Sequence, residues 1–131
     1  MAVLGAILGD IAGSRFEFKR PFRVDLQKCE LFTKDCEFTD DTVITLAVKK
    51  AIVEKTDLAE TMKEIGRHYP DCGYGGKFRR WIFGEDAKPY NSYGNGSAMR
   101  VSFVGEYFEQ LDDVIREAEK TAAVTHDHPE G

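Results

Sequence analysis

Thr39-Asp40-Asp41-Thr42-Val43-Ile44-Thr45-Leu46-Ala47-Val48 joins two adjacent carboxylates to an apolar-periodic run. Val43, Ala47 and Ala51, with Ile44, Val48 and Ile52, recur at helical spacing and mark one buried stripe. A helix is therefore expected to start here. Thr39 serves as N-cap, and Asp40, Asp41 and Thr42 fill the first turn, where the helix dipole favours negative charge. The same four residues have a second reading. Oxygen-only donors of this kind suit a hard divalent cation, Mg²⁺ or Mn²⁺. The segment alone is compatible with a well-capped helix start and with a metal site.

Upstream, Ala2 to Ser14 reads as a helix, with Leu4, Ile7, Leu8 and Ile11 on one face. Gly5, Gly9 and Gly13 recur every four residues and leave another face bare. Glycine costs about 1 kcal/mol of helix propensity relative to alanine, so three of them suggest a close approach by a ligand or by another backbone. Ordinary helix packing is the alternative. Their order is not G-x-G-x-x-G and no G-K-[ST] follows, which removes the dinucleotide-fold and P-loop readings. Arg15 to Glu37 is polar and aromatic, without clear periodicity, and reads as a long loop of the kind that often carries function.

Downstream, Asp57 to Tyr69 is a second amphipathic helix, with Leu58, Met62, Ile65 and Tyr69 on one face. Asp57 and Glu60 resemble a capping box, and Pro70 lies just past the end. His68 reads as a surface residue near that helix's C-terminus. Lys77 to Phe83 is a short helix. Gly94-Asn95-Gly96 then feeds Ser97 to Val101, the start of another helix, and such a turn can present free N–H groups to an anion. Leu111 to Val124 forms the last helix, with Val114, Ile115, Ala118 and Ala122 inward. No strand alternation is evident, and the fold reads as all-α.

The chain has 131 residues, 42% hydrophobic and 31% charged, with a net charge of −5, which fits one soluble domain spanning 1–131. The densest basic patch, Lys77-Phe78-Arg79-Arg80, is too short for general nucleic-acid binding. Three cysteines without a C-x-x-C speak against a disulfide framework or a zinc site. The apolar start is broken by Asp10, far short of the roughly 20 residues of a membrane span, and lacks a basic leader. A cytoplasmic protein with no membrane association is expected.

Four segments in order carry a resemblance. They are Gly5-Ala6-Ile7-Leu8-Gly9-Asp10-Ile11-Ala12-Gly13 with Glu17 shortly after, Phe38-Thr39-Asp40-Asp41-Thr42, Ser92-Tyr93-Gly94-Asn95-Gly96-Ser97-Ala98-Met99-Arg100, and Thr125-His126-Asp127-His128-Pro129. Together they resemble the ADP-ribosylglycohydrolase family, of the dinitrogenase-reductase-activating type, over about the first half of a typical member. The resemblance implies an orthogonal all-α domain, here truncated. It also implies a binuclear Mg²⁺ or Mn²⁺ centre that hydrolyses the bond between ADP-ribose and an acceptor, either an ADP-ribosylated protein or a small ADP-ribose conjugate. By position, Thr39, Asp40 and Asp41 match the first group of metal ligands, and Glu17 matches an acidic residue near the metals. Glu17 and Asp41 are the catalytic candidates. Ser92, Tyr93, Gly94 and Asn95 match the loop that holds the diphosphate, with Gly96 among its backbone donors, and His126 matches a residue lining the ADP-ribose site. Arg100 either pairs with a carboxylate near the metals or contacts the ligand.

The family's second ligand group, an Asp-x-Asp-Thr type motif, does not occur after Asp41. Three readings follow. One is a glycohydrolase whose site is completed by another copy or by a C-terminal partner fragment. Another is an inactive ADP-ribose-binding or remnant module, since the family includes structural lens proteins. The third is an unrelated helical interaction domain. Apolar helix faces left uncovered would promote self-association.

Overall fold

The computed structural model describes residues 1–17, 25 and 27–130. Among the described residues there are seven helices and no strand, which is the expected all-α class. They are α1 (Ala2–Glu17), α2 (Asp40–Glu54), α3 (Leu58–His68), α4 (Gly76–Phe83), α5 (Gly96–Met99), α6 (Ser102–Tyr107) and α7 (Leu111–Ala123). No described helix is long and apolar enough to cross a membrane.

α2 is the hub and touches α1, α3, α5 and α6. Its start follows from Thr39, whose backbone is extended and whose Oγ1 accepts a hydrogen bond from Asp41 N at 3.3 Å. It ends at Lys55, which adopts a left-handed conformation (φ 56°) and donates its N–H to Ala51 O. Between these ends Val43, Ile44, Ala47, Val48 and Ala51 are buried, as the spacing predicts. Ile44, Met62 of α3 and Ile82 of α4 are wholly enclosed, and each contributes roughly 1.5–3 kcal/mol by leaving water.

α3 starts at Asp57, whose Oδ1 accepts from Glu60 N at 2.9 Å. α4 packs against α3 across Gly66, where a Cβ would sit 2.9 Å from Ile82 Cδ1, so the glycine sets how closely the two helices meet. Two α3 cations hold the end of α4. Lys63 Nζ donates to Gly84 O and Asp86 O, and Arg67 Nε donates to Ile82 O. Cations on the last carbonyls of a helix are stabilising.

Several expectations are corrected. α1 runs to Glu17 rather than stopping at Ser14. Arg15 therefore extends from a helix, with Nη1 donating to Thr33 Oγ1 at 2.9 Å and Nη2 to Cys29 Sγ at 3.2 Å. Within the loop expected over 15–37, residues 18–24 and 26 lie outside the described residues. Among the described residues the apolar stripe of α1 is only partly covered, with Ile7 and Ile11 half-buried. Leu4 and Leu8 are exposed, and Val3 is the helix's one buried residue. Nothing described outside the helix's own backbone lies within 4 Å of where a Cβ would stand at Gly5, Gly9 or Gly13, so no described backbone makes the close approach there. Tyr69, placed on the packed face of the second helix, is exposed. The helix expected from Ser97 breaks at Arg100 into α5 and α6, and the Arg100 side chain turns inward at the break. Ile115 of α7 is exposed, and Thr121 is that helix's buried residue.

Candidate active site

The N-terminus of α2 is built on a residue of α1. Asp10 accepts four hydrogen bonds: Thr39 N (2.8 Å) and Thr42 N (3.2 Å) donate to Oδ2, Thr39 Oγ1 (2.6 Å) donates to Oδ1, and Thr42 Oγ1 (2.6 Å) donates to Oδ2. With its oxygens engaged in this way, Asp10 fixes the segment. It is the site residue that the sequence reading left without a role, although it stands in the first motif. Its partners are about thirty residues away, and no local periodicity reports such a contact. Asp40 N donates to Cys72 O at 2.8 Å, which ties the motif to the turn after α3.

Around this anchor the carboxylates crowd. Burial pushes the Asp40 carboxyl up to about 6, and Asp41, Glu17 and Asp10 add to the effect. Asp41 is raised by burial and by Asp10. Glu17, in the last turn of α1, is raised by burial, Asp41 and Asp10. Among the described residues no cation offsets any of the three. This uncompensated oxygen cluster fits a hard cation in charge and in donor chemistry. Among the described residues, no three His, Cys, Asp or Glu side chains converge closely enough to hold a metal by themselves.

A cavity of about 310 Å³ runs from this point to the glycine-rich loop. Asp40 lines it together with Ser92, Asn95, Gly96, Arg100 and His126, and with Lys77 of α4 and Tyr90 from the segment between α4 and α5. Tyr93 and Gly94 do not line it. Tyr93 is exposed, with its ring 4.9 Å from that of His128, while Gly94 offers its carbonyl to His126 Nε2 at 3.1 Å. Glu17 and Thr39 line a neighbouring cavity of about 520 Å³, which also reaches Cys72 and Gly73. Asn95 makes no capping bond at α5, which leaves its amide available.

Arg100 departs from the expected carboxylate pairing, though it lines the cavity. It is 1% exposed and meets no carboxylate among the described residues. Its Nη2 donates instead to Thr121 O (2.6 Å) and Thr125 Oγ1 (2.9 Å), at the C-terminus of α7. Burial lowers its pKa to about 10, so it remains charged at neutral pH. His126 is buried, and its pKa lies below the usual value because of desolvation and the charge on Arg100.

The sequence that builds this site has relatives among known proteins. The family model for ADP-ribosylglycohydrolase matches residues 1–131. The chain belongs to the ADP-ribosylglycohydrolase family. It is 28% identical to the ADP-ribosylhydrolase ARH3 of Xenopus tropicalis over 95% of this chain and 43% of that protein. The human ADP-ribosylhydrolase ARH3 is also 28% identical, over 93% of this chain and 42% of its own length. The protein of the same name from Bos taurus is 31% identical over 68% of this chain and 30% of its own. The chain thus spans less than half the length of these curated relatives.

Proposed function

We propose that the chain carries the substrate-binding half of a metal-dependent ADP-ribosylglycohydrolase, acting on an ADP-ribosylated protein or a small ADP-ribose conjugate in the cytoplasm. One observation carries this reading. A single cavity joins Asp40 of the acidic helix start to Ser92, Asn95, Gly96 and His126. The motif order resembles the dinitrogenase-reductase-activating type, whereas the relatives found are named ADP-ribosylhydrolase ARH3.

In this reading the diphosphate lies against the Ser92–Gly96 loop, where hydroxyl, amide and backbone donors meet it without a basic patch. The ribose then points toward Asp40. Thr39, Asp40 and Asp41 would hold Mg²⁺ or Mn²⁺, with the remaining ligands coming from outside these residues. Such an ion polarises bound oxygens and lowers the pKa of a bound water. Cleavage of a glycosidic bond passes through an oxocarbenium-like state, which the anionic oxygens of this cluster stabilise. Glu17, not consumed by the Asp10 network and raised in pKa, takes the proton of the attacking water as general base.

The exposed stripe of α1 supports a second element of the proposal. Another copy or a separate C-terminal fragment covers Leu4 and Leu8 and completes the site. Release of ADP-ribose from an ADP-ribosylated substrate is the direct test. It is expected to need Mg²⁺ or Mn²⁺ and to fall at least about 100-fold in Asp41→Ala, the scale set by loss of a catalytic electrostatic group. Full turnover in that variant, or turnover indifferent to chelator, would overturn the metal assignment. An inactive ADP-ribose-binding module is the alternative, favoured by the incomplete ligand set. It would show ADP-ribose binding with no release under any metal.

A further inference from the structure

We propose that Arg100, Thr125 and His126 form one directed hydrogen-bond chain that positions the Ser92–Gly96 loop, with the Ser92 hydroxyl at the cavity wall, for an anionic ligand. The identity of that ligand as a diphosphate rests on the reading above, but the direction of the chain does not.

The direction follows from which atoms can only donate or only accept. A guanidinium only donates, so Thr125 Oγ1 accepts from Arg100 Nη2 across 2.9 Å. A carbonyl only accepts, so His126 must carry its proton on Nε2 to bond Gly94 O at 3.1 Å. In the neutral ring Nδ1 is then bare, and the Thr125 hydroxyl, 2.8 Å away, donates to it. Polarity thus runs from Arg100 through Thr125 and His126 to the loop. Ser92 Oγ lies 3.1 Å from Nε2 and 3.4 Å from Gly94 N, both of them donors. It shares the Nε2 proton with Gly94 O, accepts from Gly94 N, is hydrogen-bonded to the Tyr90 side chain as well, and lines the cavity.

The rest of the turn holds this arrangement in register. Ser92 N donates to Thr125 O at 3.2 Å, and Asn91 N donates to an Asp127 carboxylate oxygen. A Cβ at Gly96 would stand 3.4 Å from His126 Cε1, so Gly96 lies close to the ring. Arg100 is 1% exposed, lines the cavity, and leaves its Nε without a partner. It is a buried cation whose charge no described carboxylate offsets. The other ionisable groups around the ring are Tyr90 in the loop, Asp127 and His128 in its own turn, and Asp40 and Lys77 across the cavity. Arg100 and Thr125 are positioning residues in this scheme, acting on the ligand through His126 and Ser92.

The test is ¹⁵N NMR of the imidazoles in the full 131-residue chain at neutral pH, with calorimetric titration of ADP-ribose. The wild type is expected to show His126 as a single neutral Nε2–H tautomer. Thr125→Val keeps the shape and removes the hydroxyl. It is expected to give mixed tautomers and about tenfold weaker ADP-ribose binding, the scale of one lost buried hydrogen bond. Thr125→Ser is expected to restore both. A wild-type ring protonated on Nδ1, or an imidazolium, overturns the proposal even if Thr125→Val does not fold. So does a folded Thr125→Val that keeps the wild-type tautomer and affinity. If the tautomer follows the hydroxyl as described while no variant binds ADP-ribose, the chain of bonds is supported and the ADP-ribose reading of the cavity fails.

Discussion

At Asp10 one carboxylate receives two backbone N–H groups and two hydroxyls from the start of α2, whereas Asp41, between the two threonines of that network, has its carboxyl raised by burial and by Asp10. The two aspartates should therefore respond in opposite ways to the same substitution. Asp10→Asn places an NH₂ against groups that already donate and is expected to cost about 2–3 kcal/mol, the scale of hydrogen bonds to a charged group. Asp41→Asn removes a charge that is repelled in the folded state and is expected to raise the melting temperature of the metal-free chain. Melts in chelator would contradict this if both variants lost stability alike. His126 supplies a pH dependence. Its folded-state pKa lies below the ordinary value, so the folded chain binds fewer protons there than the unfolded one. The stability it contributes is present above the unfolded pKa of about 6.5 and is lost as pH falls through the lowered value. His126→Gln is expected to flatten that part of the stability–pH curve.

Among the elements, those specified by neighbours in sequence were legible and those specified by distant contacts were not. Thr39 and Asp57 cap their helices as the sequence indicates, because a cap needs only residues two or three positions on. The core stripe of α2 was readable from spacing for the same reason. The break between α5 and α6 was not; at it Arg100 reaches the carbonyl end of α7, some twenty residues later. α1 shows the limit of periodicity most clearly. Leu4 and Leu8 repeat as a buried face should, yet the pattern cannot say what covers them, and no described residue does. If this face docks a second copy or a partner fragment, sedimentation should give a dimer or larger species at micromolar concentration. Leu8→Glu should return it to monomer, and a monomeric wild type would contradict the docking.

For the whole molecule, α2 ties the carboxylate cluster to the core, while the loop before α5 and the turn after α7 form the opposite wall of the cavity. The candidate site was legible as four motifs, because each is a short local pattern. That Asp40 and His126 share one cavity, and that Tyr93 turns away from it, depends on packing between elements far apart in the chain. The central claim is that this cavity receives ADP-ribose. Calorimetric titration of ADP-ribose into the chain with Mg²⁺ tests it most directly. Saturable binding is expected, weakened about tenfold in Asn95→Ala by loss of one hydrogen-bonding amide. No binding, or equal binding by wild type and Asn95→Ala, would contradict it.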